Sequence, residues 1–257
     1  MKRVISRQFG FSLLELMVVT VVLLVITGAV FGLVTVAQQR YKMESEFLDT
    51  FQTARVAMDQ MARDIHSAGY PPLNSFLPAA AVANPLLVAN SPFAWSPNYP
   101  ANPCTVGGNC QSPTGFDLIV ETDIDPQNNN GLEWVRYQLQ GTTLMRGVVS
   151  KATGPGAGPD PVLQTTGALA PYVDNVMNNA TAARMAAIRA SYPTMFPGNV
   201  PVPVFTYAYE AGAANQPQFI RDVNITLIVL SPNNDPQTNQ PRLVTLTGRA
   251  RRVNPNQ

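Results

Sequence analysis

The chain has 257 residues, enough for one large domain or two small ones, and 46% of them are hydrophobic, which excludes a disordered tail. Lys and Arg nearly balance Asp and Glu, so the net charge of +1 gives no electrostatic argument for nucleic-acid binding. One histidine, His66, and two cysteines are too few for most catalytic triads or zinc sites, so the composition argues against an enzyme.

The first predicted element is a long apolar helix. Residues 1–10 form a leader with three basic residues. An apolar run of 27 residues, 11–37, follows it, and Glu15 is the only charge in this run. A helix of this length measures roughly 40 Å, more than the hydrocarbon core of a bilayer. A secretory signal peptide fits poorly, because the run is too long and no small-residue cleavage site ends it. The run therefore predicts a membrane-spanning helix with its N-terminus in the cytoplasm, whose carboxylate needs a charged partner.

The residues at the start of this run define its type. The basic leader ends in Gly10, Phe11 follows, and Glu15 stands four residues later. This arrangement resembles the class III signal of type IV prepilins and of type II secretion pseudopilins. The resemblance implies that prepilin peptidase cuts between Gly10 and Phe11 and methylates the new amino terminus of Phe11. It also implies that Glu15 pairs with the amine of a neighbouring subunit during filament assembly, which relieves the desolvation of both charges. An uncleaved membrane anchor is the alternative.

The same helix is predicted to continue beyond the membrane to about Ser67. Apolar residues recur every three or four positions and predict a face that packs on a sheet, with a coiled-coil seam as the alternative; they are Phe47, Phe51, Ala54, Met58, Met61 and Ile65. Most charged residues of this segment, with Asp64 among them, are assigned to the other faces. Gly69, Pro71 and Pro72 are expected to end the helix.

The remaining residues predict a β-rich head. Six segments have strand character and are separated by turn signals: residues 116–121, 132–140, 142–149, 204–210, 219–230 and 242–253. Alternation in the second segment places Tyr137 toward the helix and Trp134 and Arg136 outward. An Ala-rich stretch, 178–190, predicts a short helix with an asparagine cap. The fold class is therefore α+β, with a long helix, transmembrane and then amphipathic, packed on an antiparallel β-sheet.

Two candidate sites lie in this head. Cys104 and Cys110 enclose five residues, two of them glycine, and are predicted to form a local disulfide in an exported protein. Between the first two strands, eleven residues crowd together oxygen ligands of the kind that calcium prefers; the candidates are Asp123, Asp125, Asn128 and Glu133. The EF-hand pattern is not met, and the sequence favours the alternative of a solvated hairpin loop. No other cofactor is expected.

Several head segments resemble PilW-type minor pilins and J-type pseudopilins in pattern; they are residues 54–72, 133–147, 169–176 and 219–232. The resemblance implies a minor pilin in type IV pilus assembly, priming or tip formation, with a J-type pseudopilin of type II secretion as the alternative. A third hypothesis is a tip adhesin for glycan or DNA, whose discriminating residues are Trp95, Trp134, Arg249, Arg251 and Arg252.

The domain organisation follows from these elements. Residues 1–10 form the prepilin leader, residues 11–69 the long helix, with 11–37 in the membrane, and residues 70–257 the head. The resemblance implies a bacterial inner-membrane protein that crosses once, with its head in the periplasm, and is later assembled into a pilus or pseudopilus. The implied partners are prepilin peptidase, the major pilin and other minor pilins, the assembly platform and a PilC/PilY-type tip adhesin; no nucleic-acid partner is expected.

Overall fold

The computed structural model describes residues 10, 12–72, 89, 92–93, 113–126, 131–150, 169–210, 217–235 and 238–253. Phe11, Trp95, Cys104, Cys110 and Asn128 lie outside these ranges, so the predictions made for them stay predictions. The elements, in chain order, are α1 (Leu13–Ser67), β1 (Asp117–Thr122), β2 (Glu133–Gln140), β3 (Thr143–Ser150), β4 (Ala170–Val173), α2 (Ala182–Ser191), β5 (Phe205–Tyr209), β6 (Ile220–Asn234) and β7 (Pro241–Arg251). The α+β fold predicted from the sequence is confirmed.

Helix α1 is continuous over 55 residues, which corresponds to roughly 80 Å. Every described residue from Ser12 to Lys42 is exposed, and the first buried residue of the helix is Met43. Beyond that point one face turns inward, with Ala54, Ala57 and other residues at helical spacing in the core. The small alanines let the helix backbone approach the sheets closely. The helix ends at Ser67, as predicted, and the following Gly69 has a positive φ of 79° that favours glycine.

One residue of the helix was assigned to the wrong face. Asp64 is buried, with 3% of its surface exposed, although its charge suggested a solvated position. It lies three residues after Met61 and seven after Ala57, so it projects from the same face as these core residues. Partners on the sheet, described below, compensate for the burial of its carboxylate.

The strands form two antiparallel sheets, one in the order β1-β2-β3-β4 and the other in the order β5-β6-β7. A bridge between Val176 and Val229 connects the segment after β4 to β6, so the two sheets adjoin. Helix α1 crosses β6 and β7 over most of its buried length, and one hydrophobic core combines helix and both sheets. Strand β4 was not predicted, because it has only four residues and contains Pro171, which suits an edge strand.

Strand β2 is buried on both faces. Tyr137 faces the helix, as predicted, but Trp134 and Arg136 are also buried, with 1% and 3% of their surfaces exposed. The two side chains lie on the face of the strand opposite to Tyr137, as predicted. That face is covered, however, so the prediction that they are exposed is wrong. Arg136 is neutralised by Asp117 of β1, to which its guanidinium donates two hydrogen bonds of 2.9 and 2.6 Å. Alternation identifies which side chains share a face, but it does not reveal whether that face is covered.

The Ala-rich stretch forms α2, but its cap is not an asparagine. The side chain of Thr181 accepts a hydrogen bond from the backbone N–H of Arg184. Asn178 is instead fully buried and links two segments: its amide donates to the carbonyl oxygens of Val202 and Thr226 and accepts from the N–H of Ile228. Helix α2 covers a second, smaller hydrophobic cluster on the far side of β6; its buried members are Met177, Ala180, Met185, Ile188, Phe196, Ile228 and Leu230.

Candidate functional sites in the helix and the head

The N-terminal half of α1 is an exposed apolar surface with one acidic group. Its described residues from Leu13 to Ala37 are long and apolar enough to cross a membrane, and none is buried against the rest of the chain. Glu15 lies in the first turn, where the partial positive charge of the helix N-terminus favours a carboxylate. Within the described part of the chain, no hydrogen bond or ion pair joins Glu15 to another side chain. In an apolar setting this carboxylate needs a charged partner, and the described residues supply none.

Gly10 is the described residue next to the expected cleavage site. It is exposed, and a Cβ atom added to it would meet nothing within 4 Å. The glycine is therefore not required for packing against the described residues. Phe11, the other half of the predicted site, lies outside the described residues.

Three of the four candidate calcium ligands meet in space. Side-chain oxygens of Asp123, Asp125 and Glu133 lie within 4.8 Å of one another at the start and end of the loop between β1 and β2. The loop is held by its own backbone, since the N–H of Ile124 donates to Glu133 at 3.1 Å and that of Asp125 donates to Asp123 at 3.1 Å. The fourth candidate, Asn128, lies outside the described residues. These three carboxylates could contribute oxygen ligands to a hard cation.

The electrostatics of this cluster favour protonation when no cation is bound. Burial raises the pKa of Glu133, and the charges of Asp125 and Asp123 raise it further, while the hydrogen bond from Ile124 lowers it. Burial likewise raises the pKa of Asp123, against a hydrogen bond from the N–H of Asp125. Three carboxylates at this separation repel one another, so a proton or a cation stabilises the loop.

The residues expected to bind a glycan or DNA are mostly occupied within the fold. Trp134 is buried and cannot stack on a sugar. Arg249 forms an ion pair of 2.9 Å with Asp222, and Arg252 is buried beside Glu210 at 3.4 Å. Of the predicted arginine cluster, Arg251 alone is exposed without a described ion pair.

A buried polar network that sequence reasoning did not identify fastens α1 to the first sheet. The hydroxyl of Tyr137 donates to Oδ2 of Asp64 at 2.5 Å, and the guanidinium of Arg146 donates to the same oxygen at 3.1 Å. Gln60 donates to Oδ1 at 2.7 Å, and Arg146 also bonds the Tyr137 hydroxyl at 3.0 Å. Burial raises the pKa of Tyr137, and the charge of Asp64 raises it further. The sequence contained one indication of this network, because helical spacing places the charged Asp64 on the apolar face of α1.

A second set of polar contacts fastens the helix nearer to the membrane. Arg242, at the start of β7, donates a hydrogen bond to Glu44 and lies over the ring of Phe47, 5.7 Å from its centroid. Asn233 of β6 donates to Glu46. The hairpin between β6 and β7 therefore holds α1 directly after the exposed apolar half. The free part of the helix ends at this contact.

A family model described as the prokaryotic N-terminal methylation motif matches residues 5–31. This motif is the class III prepilin signal, and the helix and antiparallel sheets that follow it agree with a pilin fold. The match confirms the resemblance found in the first residues and supports a type IV pilin-like protein. No curated protein and no solved structure shows significant similarity to it.

The signal supports a function at the level of a pilin or pseudopilin. It implies processing by prepilin peptidase and association with other pilins. Together with the exposed apolar half of α1, it fits a pilin anchored in the inner membrane. The motif therefore suggests a structural protein.

Proposed function

We propose that this chain is a PilW-type minor pilin that takes part in the assembly, priming or tip formation of a type IV pilus. The observation that carries the proposal is a methylation motif that leads directly into a helix whose apolar half is not buried against the described part of its own chain. In the membrane this surface is covered by lipid, and in a filament it is covered by the corresponding helices of other subunits. One helix thus serves both locations.

Cleavage between Gly10 and Phe11 creates a free amine four residues from Glu15. In an assembled filament, the carboxylate of one subunit pairs with the methylated amine of its neighbour. Each isolated charge is costly in an apolar setting, and pairing removes most of that cost while it defines the axial register. The pairing therefore favours the assembled state over subunits that remain separate in the membrane.

A minor position suits the size of the head. Two sheets and a second helix form a bulky domain, which would crowd a thin filament if every subunit carried it. Expected partners are prepilin peptidase, the major pilin, other minor pilins, the assembly platform and a PilC/PilY-type tip adhesin.

A J-type pseudopilin shares the signal, the helix and the general plan of the head. Deletion of the gene distinguishes the two functions: loss of surface pili and of twitching supports the minor pilin, and loss of type II secretion with intact pili supports the pseudopilin. The adhesin alternative is weakened by the burial of Trp134.

Mass spectrometry of the mature N-terminus tests the central step. We expect the membrane-bound chain to begin at methylated Phe11 and a Gly10→Leu variant to keep residues 1–10. This variant is a suitable control because the space around Gly10 is open, so folding of the remaining chain is undisturbed. Recovery of an intact leader in assembled material would contradict the proposal.

A further inference from the structure

Strand β7 is the outer strand of its sheet, and a row of its backbone groups has no hydrogen-bond partner among the described residues. The N–H of Arg252 donates to the carbonyl of Arg221 on β6 at 3.0 Å, so this pair is hydrogen-bonded. Because hydrogen-bonded pairs alternate along an antiparallel ladder, Ala250 and Gly248 also bond to β6. The N–H and C=O groups of the intervening residues point away from β6; these residues are Thr245, Thr247, Arg249 and Arg251.

The beginning of this edge is already covered. The hydroxyl of Tyr192 donates to the carbonyl of Pro241 and accepts from the N–H of Leu243, which confirms that odd-numbered residues of β7 face outward. From Thr245 to Arg251, by contrast, no backbone hydrogen bond connects the outward groups to any described residue, and all four side chains are exposed. This segment is called the open edge below.

A groove of about 370 Å³ lies between the open edge and α1. Its apolar wall includes Phe51, Met58 and Ala62 of the helix and Leu246 of the strand. Gly248 lets the Met58 side chain lie close over the strand, because a Cβ atom on this residue would be only 2.7 Å from Cε of Met58. A strand added to the open edge would direct every second side chain into this groove.

The charge of the open edge defines what kind of strand fits. Arg249 and Arg221 share one carboxylate, Asp222, at 2.9 and 3.2 Å, and Arg251 is exposed nearby, so these four residues carry a net charge of +2. Arg252 adds no net charge because it is paired with Glu210. A second copy of this edge would bring the same positive charge and be repelled, whereas acidic side chains would be attracted.

We propose that the open edge of β7 is a docking site for an extended, acidic segment of a partner protein, which adds to the sheet as a further strand. Backbone hydrogen bonds to the residues from Thr245 to Arg251 hold the segment. Its apolar side chains enter the groove beside α1, and its acidic side chains lie on the other face, near Arg249 and Arg251. The proposal concerns the head and does not depend on the filament function proposed above.

Binding of a defined peptide to the full-length chain in nonionic detergent tests this site. The probe is a fluorescent seven-residue peptide that alternates Glu and Val, and the control peptide has Lys in place of Glu. Fluorescence anisotropy should show saturable binding of the Glu peptide and much weaker binding of the Lys peptide. Absence of saturable binding of the Glu peptide at about millimolar concentration, or equal binding of both peptides, overturns the proposal.

Variants of the chain locate the binding. Thr247→Pro removes one outward N–H without touching the ladder to β6 and should weaken binding by about tenfold, whereas Thr247→Ala keeps that N–H and should leave binding unchanged. Arg251→Glu should also weaken binding of the Glu peptide, and this variant carries the test if the proline variant does not fold. Unchanged affinity in Thr247→Pro or in Arg251→Glu would overturn the placement on β7.

Discussion

Burial and two neighbouring carboxylates both raise the pKa of the Glu133 side chain. Both effects disfavour its charged form, and the hydrogen bond from Ile124 offsets them only in part. Burial also raises the pKa of Asp123. The cluster is therefore a local source of instability at neutral pH unless a cation neutralises it.

We expect these two groups to make the stability of the head fall as the pH rises. Their folded-state pKa values lie above the ordinary values of 3.8 and 4.5, so their contribution is fully present below those values. It is lost as the pH rises from the ordinary to the raised values, because over that range the folded state binds more protons than the unfolded chain and has to release them. Urea unfolding of the full-length chain between about pH 4 and about pH 8 measures the decline.

The matched variants separate this cluster from other titrating groups. Glu133→Gln should flatten the decline, whereas Asp49→Asn, at an exposed position of α1, should not. Calcium at about 1 mM should restore the stability of the wild-type chain at neutral pH if the three carboxylates bind it. Parallel pH curves for wild type and Glu133→Gln, or no effect of calcium, would leave the solvated loop as the correct interpretation.

The sequence was informative about these carboxylates because they are close along the chain. Asp123, Asp125 and Glu133 flank one hairpin connection, so two neighbouring strands necessarily bring them together. Asp64 was misassigned for the opposite reason. Its partners Tyr137 and Arg146 are 73 and 82 residues away along the chain, so no local sequence pattern indicates that they contact Asp64.

At the scale of elements, α1 is docked on the sheets by apolar contacts and by the network around Asp64. The carboxylate is buried and receives three hydrogen bonds, from Gln60, Tyr137 and Arg146. Removing it would leave a buried hydroxyl and a half-buried guanidinium without their acceptor. Removing the tyrosine hydroxyl alone would leave the carboxylate with its arginine.

Substitutions in this network should therefore differ in their effect on stability. We expect Asp64→Ala to lower the free energy of unfolding by about 3 kcal/mol and Tyr137→Phe by about 1 kcal/mol. Thermal unfolding followed by tryptophan fluorescence measures both, since Trp134 lies in the core. Asp49→Ala on the same helix is the control and should change stability by less than about 0.5 kcal/mol. A similar small change for Asp64→Ala would show that the network does not hold the helix.

All six predicted strand segments form strands. Their bounds agree within a few residues with those of β1, β2, β3, β5, β6 and β7, and α1 was anticipated nearly to its last residue. Strand β4 is short, contains Pro171 and depends on its pairing with β3, which local sequence does not encode. The pairing of strands into two sheets likewise depends on contacts between distant segments.

At the scale of the whole molecule, the chain combines an exposed apolar helical segment with a folded head. Contacts from the β6–β7 hairpin to Glu44, Glu46 and Phe47 mark the boundary, and the helix from Leu13 to Lys42 is exposed. A surface of this kind is stable only in lipid or against other helices. The proposed assembly would therefore depend on this part of the helix.

Replacing the one charge of the apolar half should uncouple anchoring from assembly. We expect Glu15→Gln to be inserted in the membrane and folded like the wild type, because Glu15 makes no contact within the described chain. Without the ion pair to a neighbouring amine, its recovery in sheared filaments should fall by on the order of tenfold. Immunoblots of filament and membrane fractions measure the ratio, with Asp49→Asn as the control. Equal incorporation of Glu15→Gln would argue against the pairing.

The sequence by itself determined the processing signal, the long helix and the α+β class, because these depend on residues that are neighbours along the chain. The processing signal consists of residues close together in sequence, namely the leader, Gly10, Phe11 and Glu15, and helical periodicity is also a local property. Only the tertiary structure decided that Asp64 and Trp134 are buried, and that β7 keeps an open edge beside a groove. Burial and strand order arise from contacts between segments far apart in the chain, and the packing of the whole head determines them.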